Sequence, residues 1–283
     1  MKSGSGILPA SIRHDWDEAR MAEKAEQTKA ETVRIPPQEK EGTLAMLYPD
    51  GTSVELTGTI EVMPMDEKQK IIKRIESISG KYSPYEVFTD WIRCCAIAIS
   101  NSVTPIHGKV WKEREKSYLD TVAKYEKKEA ESFAEMLAWL VIALEKEMED
   151  VLGSVYMMGG MGSKTTGQFF TPFHVSEMCG RLTVGNPDED GIYRLNEPAC
   201  GGGAMIIAAA KDLRDKGVNY QRKLVVVAQD LDWKGVYMCY LQLSLLGIKA
   251  TCVQGDTLEK PYTEDYPRQR VLYTPAKMGV LLF

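Results

Sequence analysis

Three short stretches in the last third of the chain carry groups that suit a nucleoside-bearing ligand. The first is Glu197-Pro198-Ala199-Cys200-Gly201-Gly202-Gly203, a glycine-rich turn with an acid just ahead of it. Glycines let a backbone come close to a small molecule. The second is Asp230, after the apolar run Val225-Val226-Val227-Ala228. An acid about thirty residues beyond a glycine turn, at the next strand end, suits ribose hydroxyls. The third is Asp256 in Gln254-Gly255-Asp256-Thr257, whose carboxylate can accept a hydrogen bond from an exocyclic amine. Each has a plain structural reading, as a tight corner, a turn or a helix cap. Taken together, in this order, they point to one nucleoside-like cofactor. The glycine run is not Gly-x-Gly-x-x-Gly, which weighs against a dinucleotide. No Gly-x-x-x-x-Gly-Lys-Ser/Thr is present, so a P-loop site is not supported.

The elements around these groups must set them at the carboxyl ends of parallel strands, where open α/β sheets bind ligands. Short apolar runs at Lys223–Val227, Ile248–Val253 and Arg270–Tyr273 read as strands. They alternate with helical stretches after Gly203 and after Asp232, stopped by Gly217 and Gly247. That alternation predicts βαβ units and a parallel sheet.

Upstream, the chain divides into three parts. Residues 1–40 form a polar arm ending near Ile35-Pro36-Pro37. Residues 41–64 read as a small β-hairpin about Pro49-Asp50-Gly51, with a third strand at Thr59–Val62. Residues 65–156 read as a helical region. Asp66 is a cap and Gly80 a stop, and Ser83-Pro84-Tyr85-Glu86 carries the signature of a helix start. The segment from 157 to 283 is the α/β domain, entered through the glycine-rich Met158–Gly167 stretch.

The balance of 35 Lys+Arg against 40 Asp+Glu gives a formal net charge of −5, which argues against nucleic-acid binding by bulk charge alone. No apolar run is long enough to cross a bilayer and no secretory leader is apparent, so the expected setting is the cytoplasm. Six cysteines without a Cys-x-x-Cys pair read as reduced, mostly buried thiols and not as a zinc site.

At these residues the sequence resembles the DNA adenine-N6 methyltransferases, the modification subunits of type I restriction-modification systems. The family's Gly-Gln-Phe-Tyr-Thr-Pro appears as Gly167-Gln168-Phe169-Phe170-Thr171-Pro172. Its Asp-Pro-Ala-Cys-Gly-Ser-Gly-Gly turn appears as Glu197-Pro198-Ala199-Cys200-Gly201-Gly202-Gly203-Ala204. Asp230 matches the acid after the second strand, and Gly255-Asp256-Thr257-Leu258 matches the family's third-strand motif. The helix ending Asn-Leu-Leu-Leu-His-Gly-Ile is echoed by Gln242-Leu243-Ser244-Leu245-Leu246-Gly247-Ile248, and Asp150-Val151-Leu152-Gly153 resembles the lead-in.

The resemblance implies a Rossmann-like S-adenosylmethionine-dependent methyltransferase sheet, partial and short at its C-terminal end, preceded by a helical region. It implies S-adenosylmethionine as cofactor. Gly167, Gln168, Phe169, Phe170, Thr171 and Glu197 would cradle its methionine end. Gly201 and Gly203 would line its middle, Asp230 would bind the ribose and Asp256 the adenine amine, with Pro198, Ala199, Leu231 and Thr257 also at the cofactor. Met205 and Leu231 would serve as core or wall. DNA would be met through a separate specificity subunit.

The family's fourth motif, Asn-Pro-Pro-aromatic, holds the target amine through the Asn oxygen and the first Pro carbonyl, and its ring stacks on the flipped base. No such tetrapeptide occurs in the chain. Thr274-Pro275-Ala276-Lys277 is expected in its place, with Thr274, Pro275 and Lys277 as degenerate catalytic positions. Two readings follow from the resemblance: an adenine-N6 methyltransferase complemented by a partner, or a cofactor-binding pseudo-methyltransferase that regulates or scaffolds.

Overall fold

The computed structural model describes residues 40–47, 53–60, 65–161 and 170–280. The polar arm as far as Glu39, the Pro49-Asp50-Gly51 turn, Val62, and Gly167, Gln168 and Phe169 lie outside these described residues. A two-stranded antiparallel hairpin comes first, from β1 (Lys40–Leu47) and β2 (Ser53–Ile60), in register from Lys40↔Ile60 to Leu47↔Ser53. Thr59 and Ile60 belong to β2 and not to a third strand, because the pairing with Lys40 and Glu41 carries the second strand through them.

Five helices follow: α1 (Glu67–Ile78), α2 (Pro84–Ser102), α3 (Lys109–Val122), α4 (Lys127–Lys146) and α5 (Val151–Met158). Local chemistry sets their starts. The Asp66 side chain accepts from the Gln69 N–H at 2.8 Å, and Ser83 with Glu86 forms a reciprocal capping box ahead of Pro84. On α1, Ile71, Ile75 and Ile78 recur at helical spacing and are all buried. Trp91 is fully buried, with its indole N–H donating to the Phe133 carbonyl at 3.1 Å. The charged stretch from Trp111 to Tyr156 runs through three helices, broken at Ala123–Glu126 and Glu147–Asp150.

The α/β part runs α6 (Phe173–Thr183), β3 (Tyr193–Glu197), α7 (Ala204–Asp215), α8 (Tyr220–Lys223), β4 (Leu224–Asp230), α9 (Trp233–Leu245), β5 (Lys249–Gln254) and β6 (Val271–Tyr273). Strand order is β3-β4-β5-β6. β3, β4 and β5 are parallel, with Leu195↔Val226 and Val226↔Ala250 in register. Two successive βαβ units of this kind make a Rossmann-like α/β fold. One core runs from the helices into the sheet. It includes Ile71, Trp91 and Leu140 as well as Ile206, Val226 and Ala250.

The fourth strand departs from the sequence expectation. β6 pairs antiparallel to β5, with Val253↔Val271 and Thr251↔Tyr273. A parallel return needs a crossover, usually a helix. The connection from Gly255 to Arg270 holds only loop and one short 3-10 turn. It therefore turns back beside β5 and delivers Tyr273 to that strand's amino end. Arg114 secures β6 to the helices by donating to the Val271 carbonyl at 2.6 Å and to Ser100 Oγ at 3.0 Å.

Thr274 follows directly and is fully buried. Its hydroxyl donates to the Ile248 carbonyl at 2.7 Å and accepts from the Ala250 N–H at 2.9 Å. A valine there would fit the shape and orphan both groups. Thr274→Val is expected to cost about 1–3 kcal/mol of unfolding free energy, read by urea denaturation. A loss below a few tenths of a kcal/mol would show that these bonds carry no weight.

Candidate cofactor site

The strand ends β3, β4 and β5 bring the three chemical stretches together. Cys200 N–H donates to the Gln229 carbonyl at 2.9 Å, so the glycine turn leans onto the end of β4. Gly201 and Gly203 have φ of 48° and 95°, conformations that L side chains rarely adopt. Gly203 leads straight into α7, whose first N–H groups face the turn.

Asp230 is the hinge of the arrangement. Its Oδ2 accepts from the Gly201 N–H at 2.8 Å and its Oδ1 from the Asp232 N–H at 2.8 Å. Each carboxylate oxygen can accept more than one hydrogen bond, so capacity remains for two vicinal hydroxyls. Gly235 gives it room, since a Cβ there would stand 3.1 Å from the Asp230 carboxyl carbon. The Asp230 carbonyl in turn accepts from the Gly255 N–H at 2.8 Å, which ties the end of β4 to the third stretch.

Asp256 is exposed, and its Oδ1 accepts from the Leu258 N–H at 2.9 Å. Thr257 donates its hydroxyl to the Pro198 carbonyl at 2.8 Å, closing a ring from the third strand end back to the glycine turn. Glu197 Oε1 accepts from the Ala199 N–H at 3.2 Å, and Pro198 and Ala199 are exposed. Leu231 is 67% exposed and so is not part of the core. Met205 is half-buried against the outer face of β3.

Phe170 is half-buried and lies over the turn, 3.2 Å from the position a Gly201 Cβ would take. It stands edge-on to Tyr156 at 5.1 Å between ring centroids. Thr171 is exposed beside it. Sequence reasoning missed the group next in line. Lys234, 6% exposed, donates to the Tyr156 hydroxyl at 3.1 Å, pairs with Asp232 at 3.6 Å and lies 4.5 Å from the Tyr156 ring centroid. No local pattern joins residues so distant in the chain.

Other expected residues lie elsewhere. Thr274, Pro275 and Lys277 sit at the amino end of β5, while the site is at its carboxyl end. Ala250, which Thr274 meets, and Asp256 are separated by a run of about 20 Å at ~3.3 Å per residue. Thr274 and Pro275 are buried and Lys277 is exposed, so none of them faces the glycine turn. The antiparallel return of β6 is the physical reason. A cavity of about 530 Å³ lies apart from this chemistry, between α2, α3 and α4.

The donor set fits an adenosyl cofactor: a side-chain-free turn, a carboxylate with spare acceptor capacity and a second acid at the neighbouring strand end. Among the described residues no cluster of His, Cys, Asp or Glu could hold a metal ion, and no helix is long and apolar enough to cross a membrane.

Residues 147–276 match the family model described as N-6 DNA Methylase. No curated protein matches the chain. The similar solved structures include these two. One is described as a class I S-adenosylmethionine-dependent methyltransferase from Listeria monocytogenes, at 12% identity and TM-score 0.38, over 74% of this chain and 66% of that one. The other is a type I restriction-modification system methyltransferase subunit from Streptococcus thermophilus, at 19% identity and TM-score 0.38, over 71% of this chain and 41% of that one. The chain spans less than two thirds of either, and strand order alone carries the fold assignment. The glycine turn, the Asp230 clasp and the third-strand acid all fall within the segment, residues 147–276, that is similar to the N-6 DNA Methylase family.

Proposed function

We propose that the chain binds S-adenosylmethionine at the strand ends of β3, β4 and β5 and serves as the cofactor-holding part of an adenine-N6 DNA methylase of the restriction-modification type. The observation that carries this reading is the clasp of Asp230 on the Gly201 and Asp232 amides, with Thr257 closing the ring to Pro198. Asp230 would accept the ribose hydroxyls and Asp256 the adenine amine. Gly201 and Gly203 would pass the cofactor's middle, and Glu197 with the 167–171 segment would take its methionine end. When bound, the cofactor supplies an electrophilic sulfonium methyl group. The chain's own residues would bind it, orient it and shield it with Phe170.

Transfer also needs a group that holds the target amine. Thr274, buried and hydrogen-bonded within the sheet, is not presented to this site. The reading is therefore that the base-holding Asn-Pro-Pro-aromatic element and the DNA-reading surface lie outside these 283 residues, the latter on a specificity subunit. The second reading, a cofactor-binding protein without transfer, is favoured by the same placement of Thr274 and by the absence of that tetrapeptide from the 283 residues.

Two outcomes are expected. Asp230→Ala should weaken S-adenosylmethionine binding about tenfold or more by isothermal titration, equivalent to about 1.4 kcal/mol. Unchanged affinity would contradict the ribose assignment. Converting residues 274–277 to the family tetrapeptide (Thr274→Asn, Ala276→Pro, Lys277→Phe) should give no methyl transfer to adenine-containing DNA in single turnover and should lower stability. Transfer gained by that change would overturn the placement of the site.

A further inference from the structure

The glycine turn is braced from behind by two buried side chains that the cofactor reading leaves without a role. Asp150 caps α5, its Oδ1 accepting from the Gly153 N–H at 2.8 Å. The same oxygen accepts from Gln242 Nε2 on α9 at 2.8 Å. That amide nitrogen also donates to the Gly202 carbonyl at 2.8 Å, while Gln242 Oε1 accepts from the Leu152 N–H at 3.1 Å. Gln242 is 0% exposed and Asp150 3%. Both hydrogens and the oxygen of the carboxamide are therefore committed. The fit at the turn is close, because a Cβ on Gly202 would stand 3.0 Å from Asp150 Oδ1.

We propose that Gln242 and Asp150 are positioning residues for the cofactor turn, Gln242 fixing the Gly202 peptide and Asp150 fixing which way round the Gln242 amide lies. This rests on the cofactor-binding reading above. An ionised carboxylate only accepts hydrogen bonds, so Asp150 draws the amide nitrogen and turns the oxygen towards Leu152. The reversed amide would set oxygen against both Asp150 and the Gly202 carbonyl. With the Gly202 carbonyl held, the neighbouring Gly201 N–H is left aimed at Asp230. Burial pushes the Asp150 carboxyl above its usual range, and the bonds from Gln242 and Gly153 oppose that shift. The bracing passes from the helical region, through α5, to the backbone of the binding turn.

The test measures amide hydrogen exchange by mass spectrometry in the full chain, on peptides covering 198–204 and 233–245, together with S-adenosylmethionine affinity by titration. Gln242→Met should speed exchange in the turn at least tenfold and weaken the cofactor at least tenfold, with exchange in α9 changing less than threefold. Asp150→Asn keeps an acceptor for the Gly153 and Gln242 donors but loses the acceptor-only character that orders the amide. It should therefore loosen the turn and weaken the cofactor about threefold, less than Gln242→Met, and wild-type values in both readouts would overturn the role given to Asp150. If Gln242→Met does not fold, Gln242→Asn decides. Its amide is drawn back by one methylene and cannot keep all its partners, so the turn should again exchange faster than α9. Uniform acceleration across turn and helix, or wild-type affinity with a loosened turn, would overturn the proposal. So would an Asp150→Asn loss equal to that of Gln242→Met. Should wild type itself fail to bind S-adenosylmethionine, the cofactor reading falls, and the exchange arm still judges the brace.

Discussion

Three consecutive positions without side chains let four segments of the chain meet at one turn. Gly201 faces Phe170, Gly202 faces Asp150 at the start of α5, and Gly203 faces Cys239 on α9. At each of the three positions the approach is 3.0–3.2 Å, closer than an added Cβ ordinarily tolerates. The turn is also bound to the end of β4 by the Cys200 N–H and by the Asp230 carboxylate. Helical region, sheet and connecting segment are joined there. This is a packing constraint before it is a binding one: even without a ligand, a Cβ at any of the three would require its neighbour to give by a few tenths of an ångström.

Burying Asp150 beneath that turn carries an energetic cost, because a carboxylate out of water is unfavourable unless its hydrogen bonds are made. The cost is offset locally. The side chain accepts from Gly153 and Gln242, at the amino terminus of a helix where negative charge is favoured. Nearby, Lys68 pairs with Glu149 at 2.5 Å, so the adjacent acid carries its own counter-charge. Packing alone would be met as well by apolar residues. A buried network with all its partners specifies one arrangement, where an apolar contact tolerates several.

Much of this was legible in the sequence, and the parts that were not share a cause. The Ser83 capping box, the glycine turn and the acids at 230 and 256 are local patterns whose chemistry is fixed by neighbours a few residues away. The structure puts each at the helix start or strand end expected of it. The brace joins Asp150 to a residue 92 positions on, and Lys234 meets Tyr156 from 78 positions away. Neither pairing leaves a mark in spacing or periodicity. The direction of β6 was equally hidden. A three-residue apolar strand, Val271–Tyr273, reads the same for either orientation, and only its long helix-free approach favours the antiparallel return.

That return decides how residues 274–277 should be understood. In a parallel strand a polar residue after the last apolar one projects towards the ligand side of the sheet. In the antiparallel β6 the same residue lies at the opposite end. There Thr274 satisfies the Ile248 carbonyl and the Ala250 N–H. A threonine suits that duty better than an asparagine, since its hydroxyl both donates and accepts on a short stem. Its departure from the family motif therefore needs no history of lost catalysis to explain it. The hydrogen bonds required to end this strand account for the residue found. A group approaching the strand ends from outside would come along β3, which among the described residues pairs with β4 alone.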